Sequence, residues 1–206
     1  QFLRADSLHQ LSKEDQQWLV NYGVAVVIDL RSSLEARQSP CVFCESEDVD
    51  YYSVPLLDHI NSSGFKGEFP KSMSELYIGL LENNKAEFLQ IFRIMSRYPK
   101  RCVAFHCTAG KDRTGVTAML LLHLAGVDEE TIARDYAASQ RYLGKVFIHQ
   151  KEQMGLFQIE IPKYVLDSDP EEMKKTLDFL EETYQSAENY LVLLGLSGDE
   201  IQILKG

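Results

Sequence analysis

The sequence predicts an α/β layered domain, with a central, mostly parallel sheet flanked by helices. Three observations lead there. Short apolar runs that read as buried strands, Val24-Ala25-Val26-Val27-Ile28 and Arg101 to His106, alternate with segments whose apolar residues recur at helical spacing. The stretch Thr114 to Ala125 is apolar around most of its circumference, as a helix covered on several sides should be. A chain of 206 residues, 45% of them hydrophobic, is long enough to bury one full core, and residues 1–206 are read as a single domain.

The elements follow in order. Leu11-Ser12-Lys13-Glu14-Asp15 with Trp18, Leu19 and Tyr22 reads as a capped helix stopped by Gly23, and the apolar strand after it closes in Asp29-Leu30-Arg31. Tyr51-Tyr52-Ser53-Val54-Pro55 is a weaker strand candidate leading into Leu56-Leu57-Asp58-His59, and the Gly, Ser and Asn of residues 61–67 mark a loop. Residues 72–98 carry Met73, Leu76, Tyr77, Leu80, Leu81, Phe88, Leu89, Phe92 and Met95 at helical spacing. Gly126 stops the apolar helix, Asp128-Glu129-Glu130 starts another through Tyr136, and further helices are predicted at Pro170 to Tyr184 and Asp199 to Leu204. Leu143 to Asp169 lacks periodicity and is read as a candidate lid or a packed connection.

Composition narrows the function classes. A net charge of −10 opposes nonspecific attraction to nucleic acid and anionic membranes, so an anionic substrate must find a local positive site. No apolar run of about 18 residues is present, and the first residues lack a signal-peptide pattern. Because Gln1 is not an initiator Met, a trimmed leader stays open, and with it export. Four scattered cysteines are too few for a disulfide scaffold, so a reducing compartment, the cytoplasm, is expected.

The informative segment is His106-Cys107-Thr108-Ala109-Gly110-Lys111-Asp112-Arg113-Thr114-Gly115, between a predicted strand and a predicted helix. A chain leaving a strand and winding into a helix turns successive N–H groups inward, toward the positive end of the helix, and forms an anion cradle. The amides from Thr108, Ala109, Gly110, Lys111 and Asp112 to Arg113 are expected to hold phosphate. Cys107 at the mouth is the expected nucleophile, since a helix N-terminus and nearby cations favour the thiolate that attacks phosphorus. Arg113, six positions on, offers two parallel N–H donors to the equatorial phosphoryl oxygens, a fork that lysine lacks. Gly110 and Gly115 are read as allowing a tight turn and close approach of backbone to ligand, and Thr114 as placing a hydroxyl near the sulfur. His106 is expected to orient the loop.

This loop resembles the HC-x5-R-[ST] signature of protein-tyrosine phosphatases, and its GKDRTG form resembles a bacterial family of them. Some members accept phosphoserine, phosphothreonine and phosphoinositides as well. Phe2-Leu3-Arg4-Ala5-Asp6-Ser7-Leu8, Val27-Ile28-Asp29-Leu30-Arg31-Ser32, Asp135-Tyr136 with Ser139, and Tyr190-Leu191 before Gly195-Leu196-Ser197 also match that pattern, with Ala5 standing where the family has Ser. The resemblance implies a protein-tyrosine-phosphatase-like fold and hydrolysis through a cysteinyl-phosphate intermediate.

A phenolate leaving group needs a proton donor. There is no Trp-Pro-Asp loop, the only Trp being Trp18, and two candidates remain. The resemblance favours Asp112, whose other reading is a helix cap; Asp58 on a mobile loop is the alternative. Lys111 is read as a rim cation suited to multiply phosphorylated substrates, or as a solvated lysine. Arg4, Asp29 and Arg31 are read as bracing the loop, although such ion pairs are equally ordinary. Cys41 and Cys44 form a C-x2-C pair without a second pair, so no metal is expected, and no cofactor. The expected partner is a phosphorylated protein or a phosphoinositide. Two rivals remain, a phosphotyrosine-binding pseudo-phosphatase and a rhodanese-like sulfurtransferase; the intact Cys107 and Arg113 oppose the first, the whole 106–115 string the second.

Overall fold

The computed structural model describes residues 1–57, 69–142 and 162–206. Among these residues four strands form one sheet: β1 (Phe2–Ala5), β2 (Val24–Asp29), β3 (Asp50–Ser53) and β4 (Cys102–His106), in the order β1-β4-β2-β3. All the pairings are parallel, so the sheet is more uniform than the mostly parallel one expected. β2 and β4 are buried along their whole length, which is why they read as continuous apolar runs. Their side chains alternate between two cores. Val26, Ile28, Val103 and Phe105 enter the larger core on one face. Val24, Val27, Cys102 and Ala104 join Leu8, Cys41, Phe43 and Val49 on the other. A register shift between Val24 and Val26 breaks the strict alternation of β2.

Helix α1 (Lys13–Tyr22) begins where the Ser12 side chain accepts the Asp15 N–H and ends at Gly23, whose φ of 105° suits glycine. α2 (Ser33–Gln38) follows β2 through a full capping box between Ser32 and Glu35. The helical stretch expected over 72–98 is two helices, α3 (Met73–Asn83) and α4 (Lys85–Ser96). The break falls at buried Asn84, at φ −116° and ψ 36°, in an Asn83-Asn84 pair that favours turns over helix interiors. α5 (Asp112–Leu124) is the apolar helix, and α6 (Glu129–Ala137) is capped by Asp128. Beyond the undescribed stretch come a short turn of helix α7 (Lys163–Leu166), then α8 (Pro170–Tyr184), α9 (Ala187–Leu194) and α10 (Gly198–Lys205). α8 has the predicted bounds, with proline in its first turn. Sequence reasoning passed over β1, α2 and α9, which are four, six and eight residues long and too short for a clear period.

Parallel strands end on the same edge of the sheet, where open α/β folds bind ligands. Ala5, Asp29 and His106 close three adjacent strands there, and their registers put Ala5 and Asp29 directly beside His106. The loop after His106 therefore starts between the ends of its two neighbours. Among the described residues, no helix is long and apolar enough to cross a membrane.

Candidate active site

The loop between β4 and α5 is fastened on both sides. Ser7 donates its N–H to Thr108 O at 3.1 Å, Leu30 donates its N–H to His106 O at 2.8 Å, and the first helical turn closes with Gly115 N–H on Lys111 O at 2.8 Å. Gly110, at φ +66°, turns the chain where nothing larger fits, because a Cβ there would stand 2.6 Å from Ala5 O. At this point Ala5 thus acts through its backbone. Arg4 completes the brace. Its Nε and Nη2 donate to Gly110 O at 3.2 and 3.1 Å, Nη2 also donates to Ser139 Oγ at 2.6 Å, and Nη1 pairs with the Asp135 carboxylate. Two further sequence matches, Asp135 and Ser139, therefore hold the Arg4 guanidinium that grips this carbonyl of the loop.

Cys107 is buried, and the Gly110 N–H points at its Sγ from 3.2 Å. His106 Nδ1 lies 3.0 Å from Cys107 O, and since a carbonyl only accepts, Nδ1 carries the proton. Burial holds the imidazole below its ordinary range, outweighing the Asp29 charge whose Oδ2 lies 3.7 Å from Nε2. Asp29 in turn takes the Arg31 guanidinium, with Nε at 2.9 Å from Oδ1 and Nη2 at 2.6 Å from Oδ2, and accepts the Tyr51 hydroxyl at 2.9 Å. Arg31 Nη1 also reaches Ser7 Oγ and Ser39 O. Asp29 and Arg31 thus form a buried support beneath the loop. The Thr114 hydroxyl is buried with no hydrogen-bond partner among the described residues.

Arg113 is held by a residue that sequence reasoning missed. Glu35 receives Nη1 on Oε2 at 2.7 Å and Nη2 on Oε1 at 2.9 Å, while Thr108 Oγ1 donates to Oε1 at 2.5 Å. Glu35 Oε2 also accepts the Ser32 N–H at 2.9 Å, so one carboxylate caps α2 and grips the arginine. Ser32-x-x-Glu35 is a readable capping box, but its second duty arises only when β2 and β4 lie side by side.

Lys111 departs from both expectations. It is fully buried, not at a rim or in solvent, and its Nζ donates to Val165 O at 2.6 Å and Asp167 O at 2.9 Å. It anchors the end of the candidate lid segment; residues 143–161 of that segment lie outside the described residues, as does Asp58. Asp112 opens α5 without a side-chain cap bond, and its Oδ1 instead accepts the Tyr77 hydroxyl at 2.6 Å. Gly115 also has a different use from the one expected: a Cβ there would meet the Tyr136 ring at 3.2 Å, so it makes room for a side chain. Cys41 is buried, which pushes its thiol up to about 11, and Cys44 is exposed. Among the described residues no group of three or more His, Cys, Asp or Glu is placed to hold a metal ion.

Two of these carboxylates link the site to acid stability. Burial alone would raise Glu35 and Asp29, but Arg113 with Thr108 and Ser32 holds Glu35 well below the usual carboxylate range, and Arg31 with His106 lowers Asp29. A folded value below the unfolded one gives stability that is present above the unfolded pKa, about 4, and is lost as pH falls below it. Melting temperatures are expected to drop below about pH 4.5, less steeply in Glu35→Gln, which removes one of the two groups. Calorimetry across this range checks the sign.

A cysteine and an arginine six residues apart thus lie on one loop, between a buried parallel strand and the N-terminus of a buried helix. The chain belongs to the tyrosine phosphatase family, whose model matches residues 1–206. It is 34% identical to a tyrosine-protein phosphatase of Nostoc commune, over 99% of this chain and 72% of that one. It is 25% identical to the triple specificity protein phosphatase PtpB of Mycobacterium tuberculosis, over 98% of this chain and 88% of the relative. The protein is accordingly a phosphatase, a phosphoric monoester hydrolase.

Proposed function

We propose that the protein hydrolyses phosphotyrosine on proteins, and phosphoserine and phosphothreonine with it, through a cysteinyl-phosphate intermediate. The observation that carries this reading is the Arg113 fork, braced from behind by Glu35 and directed into a loop whose Gly110 amide already faces the Cys107 sulfur. A guanidinium has five N–H donors. Contacts to Glu35 and Thr108 leave others for two phosphoryl oxygens. In the first step the Cys107 thiolate forms an S–P bond as the P–O bond of the ester breaks, and Asp112 gives its proton to the departing oxygen. In the second, water attacks phosphorus, the S–P bond breaks, Asp112 takes the proton, and phosphate leaves. Amides 108–113 and Arg113 stabilise the charge of both in-line transition states. The Thr114 hydroxyl, buried with no hydrogen-bond partner among the described residues, is the group we assign to assist the departing sulfur.

Breadth beyond tyrosine is supported by the relative named a triple specificity phosphatase. A phosphoinositide is the second reading. Its sequence support was a Lys111 charge at the rim, and that amino group is buried on two backbone carbonyls. The net charge of −10 also disfavours an anionic bilayer.

Steady-state turnover of a phosphotyrosine peptide and of a soluble phosphoinositide, without added metal, tests this reading. The peptide is expected to be the better substrate, and vanadate, which resembles the transferring phosphoryl group, to inhibit competitively. Tight peptide binding without turnover would establish the pseudo-phosphatase instead, and preference for the inositide would reassign the substrate.

A further inference from the structure

Asp112 is the end of a chain of hydroxyls. The Tyr77 hydroxyl, from α3, donates to Asp112 Oδ1 at 2.6 Å and lies 2.7 Å from the Tyr136 hydroxyl, from α6. Each phenol has one proton. The proton of Tyr77 is committed to the carboxylate, so that of Tyr136 must point at Tyr77, and the chain runs from Tyr136 through Tyr77 to Asp112. Burial, followed by the nearby Asp112 charge, lifts both phenols above their ordinary range, so both remain donors. The Lys111 amino group, 3.4 Å from the same Oδ1, adds a positive charge on that side.

Packing does not account for these hydroxyls. Tyr77 and Tyr136 are 0% and 1% exposed and meet edge to face, with ring centroids 5.8 Å apart. Two phenylalanines would fill the same space with no polar atom to satisfy in the core. Gly115, inside the signature loop's own helix, leaves the space into which the Tyr136 ring fits. The arrangement thus joins three helices at one carboxylate oxygen, while the Asp112 side chain keeps 30% of its surface exposed.

We propose that Tyr77, backed by Tyr136, is a positioning residue for proton transfer: it keeps Oδ1 of Asp112 a fixed acceptor, so that the transferable proton resides on Oδ2. The inference rests on Asp112 being the general acid. When Oδ2–H breaks and its proton passes to the leaving oxygen, negative charge grows on the carboxylate, and the Tyr77 hydrogen bond strengthens as it does. The interaction is greater in the transition state than in the bound substrate, so it acts on kcat and not on KM. In the first step it matters only where the leaving group needs a proton, whereas hydrolysis of the cysteinyl phosphate is common to all substrates.

The test compares two aryl phosphates, the ester of an unactivated phenol and that of an acidic nitrophenol. In Tyr77→Phe, the single-turnover rate of phenol release, which reads the first step alone, is expected to fall about tenfold, the low end for a hydrogen bond to a charged group, with the substrate concentration for half-maximal rate unchanged. For the nitrophenol ester the change should stay under about twofold, because that oxygen leaves without a proton. Asp112→Asn should show the same pattern more strongly, and the double variant should be no worse than Asp112→Asn alone. Equal losses on both esters, no loss on either, or additive losses in the double variant would overturn the proposal. If Asp112→Asn itself shows no leaving-group dependence while turnover still requires Cys107, the acid assignment fails and takes the proposal with it, leaving the phosphatase reading intact. Should Tyr77→Phe not fold, Tyr136→Phe decides by the same comparison, with a smaller effect selective for the phenol ester expected.

Discussion

Cys107→Ser is expected to abolish turnover, by on the order of 10⁵-fold, the scale on which a covalent catalyst fails without its nucleophile. A serine hydroxyl in this cradle has the right position and the wrong chemistry. Its proton is far harder to remove than that of a thiol, and no described basic side chain is hydrogen-bonded to the Cys107 sulfur to take it. The neighbouring His106 is turned away, its protonated nitrogen on the Cys107 carbonyl. The cradle itself should survive, because Arg4 on the Gly110 carbonyl, Ser7 on the Thr108 carbonyl and Leu30 on the His106 carbonyl hold the loop independently of the Gly110 N–H contact to sulfur. The variant should therefore still bind phosphotyrosine peptide with near-native affinity, measurable by calorimetry. Retained turnover would remove Cys107 from the mechanism, and lost binding would mean that the sulfur shapes the loop.

Arg113→Lys should be the next most damaging change, lowering kcat by on the order of 10³-fold, between the loss of one oxyanion donor and the loss of a full arginine clamp. An ammonium is a point charge on a flexible stem. It cannot hold both Glu35 oxygens and two phosphoryl oxygens at once, as the planar fork can. Glu35→Gln separates the two duties: the arginine keeps its charge and loses one side of its brace, and a loss of only about tenfold in kcat is expected. Steady-state kinetics on folded protein, verified by circular dichroism, measures both. A Lys variant as active as wild type would show that the loop amides alone stabilise the phosphoryl group.

The parts of the molecule legible in the sequence were those with a strong local cause. β2 and β4 are covered on both faces, so they must be apolar throughout; α8 has its cap and proline; the signature loop has its fixed spacing. Assemblies made by distant segments were not legible. Glu35 closes a local capping box that sequence reasoning passed over, and its grip on Arg113 spans 78 positions. Tyr77 looked like one more core residue of an apolar helix face, and nothing local reveals that its hydroxyl meets Asp112. Lys111 was read from its charge alone. Its destination, two backbone carbonyls at the start of the C-terminal helices, depends on how that segment returns over the loop.

The Arg4 brace has a bearing on how the molecule becomes active as it folds. Arg4 reaches Gly110, Asp135 and Ser139 across separations of 106, 131 and 135 residues, so it joins the first strand to parts synthesised far later. Contacts of such span close the longest loops and form late in folding. The sheet centre and the helices on it can assemble from nearer partners, whereas the phosphate cradle gains its last support only when the opening strand docks beside β4. The long span of the Arg4 brace ranks it among the last contacts expected to form, so activity is expected to appear in refolding no earlier than the docking of β1.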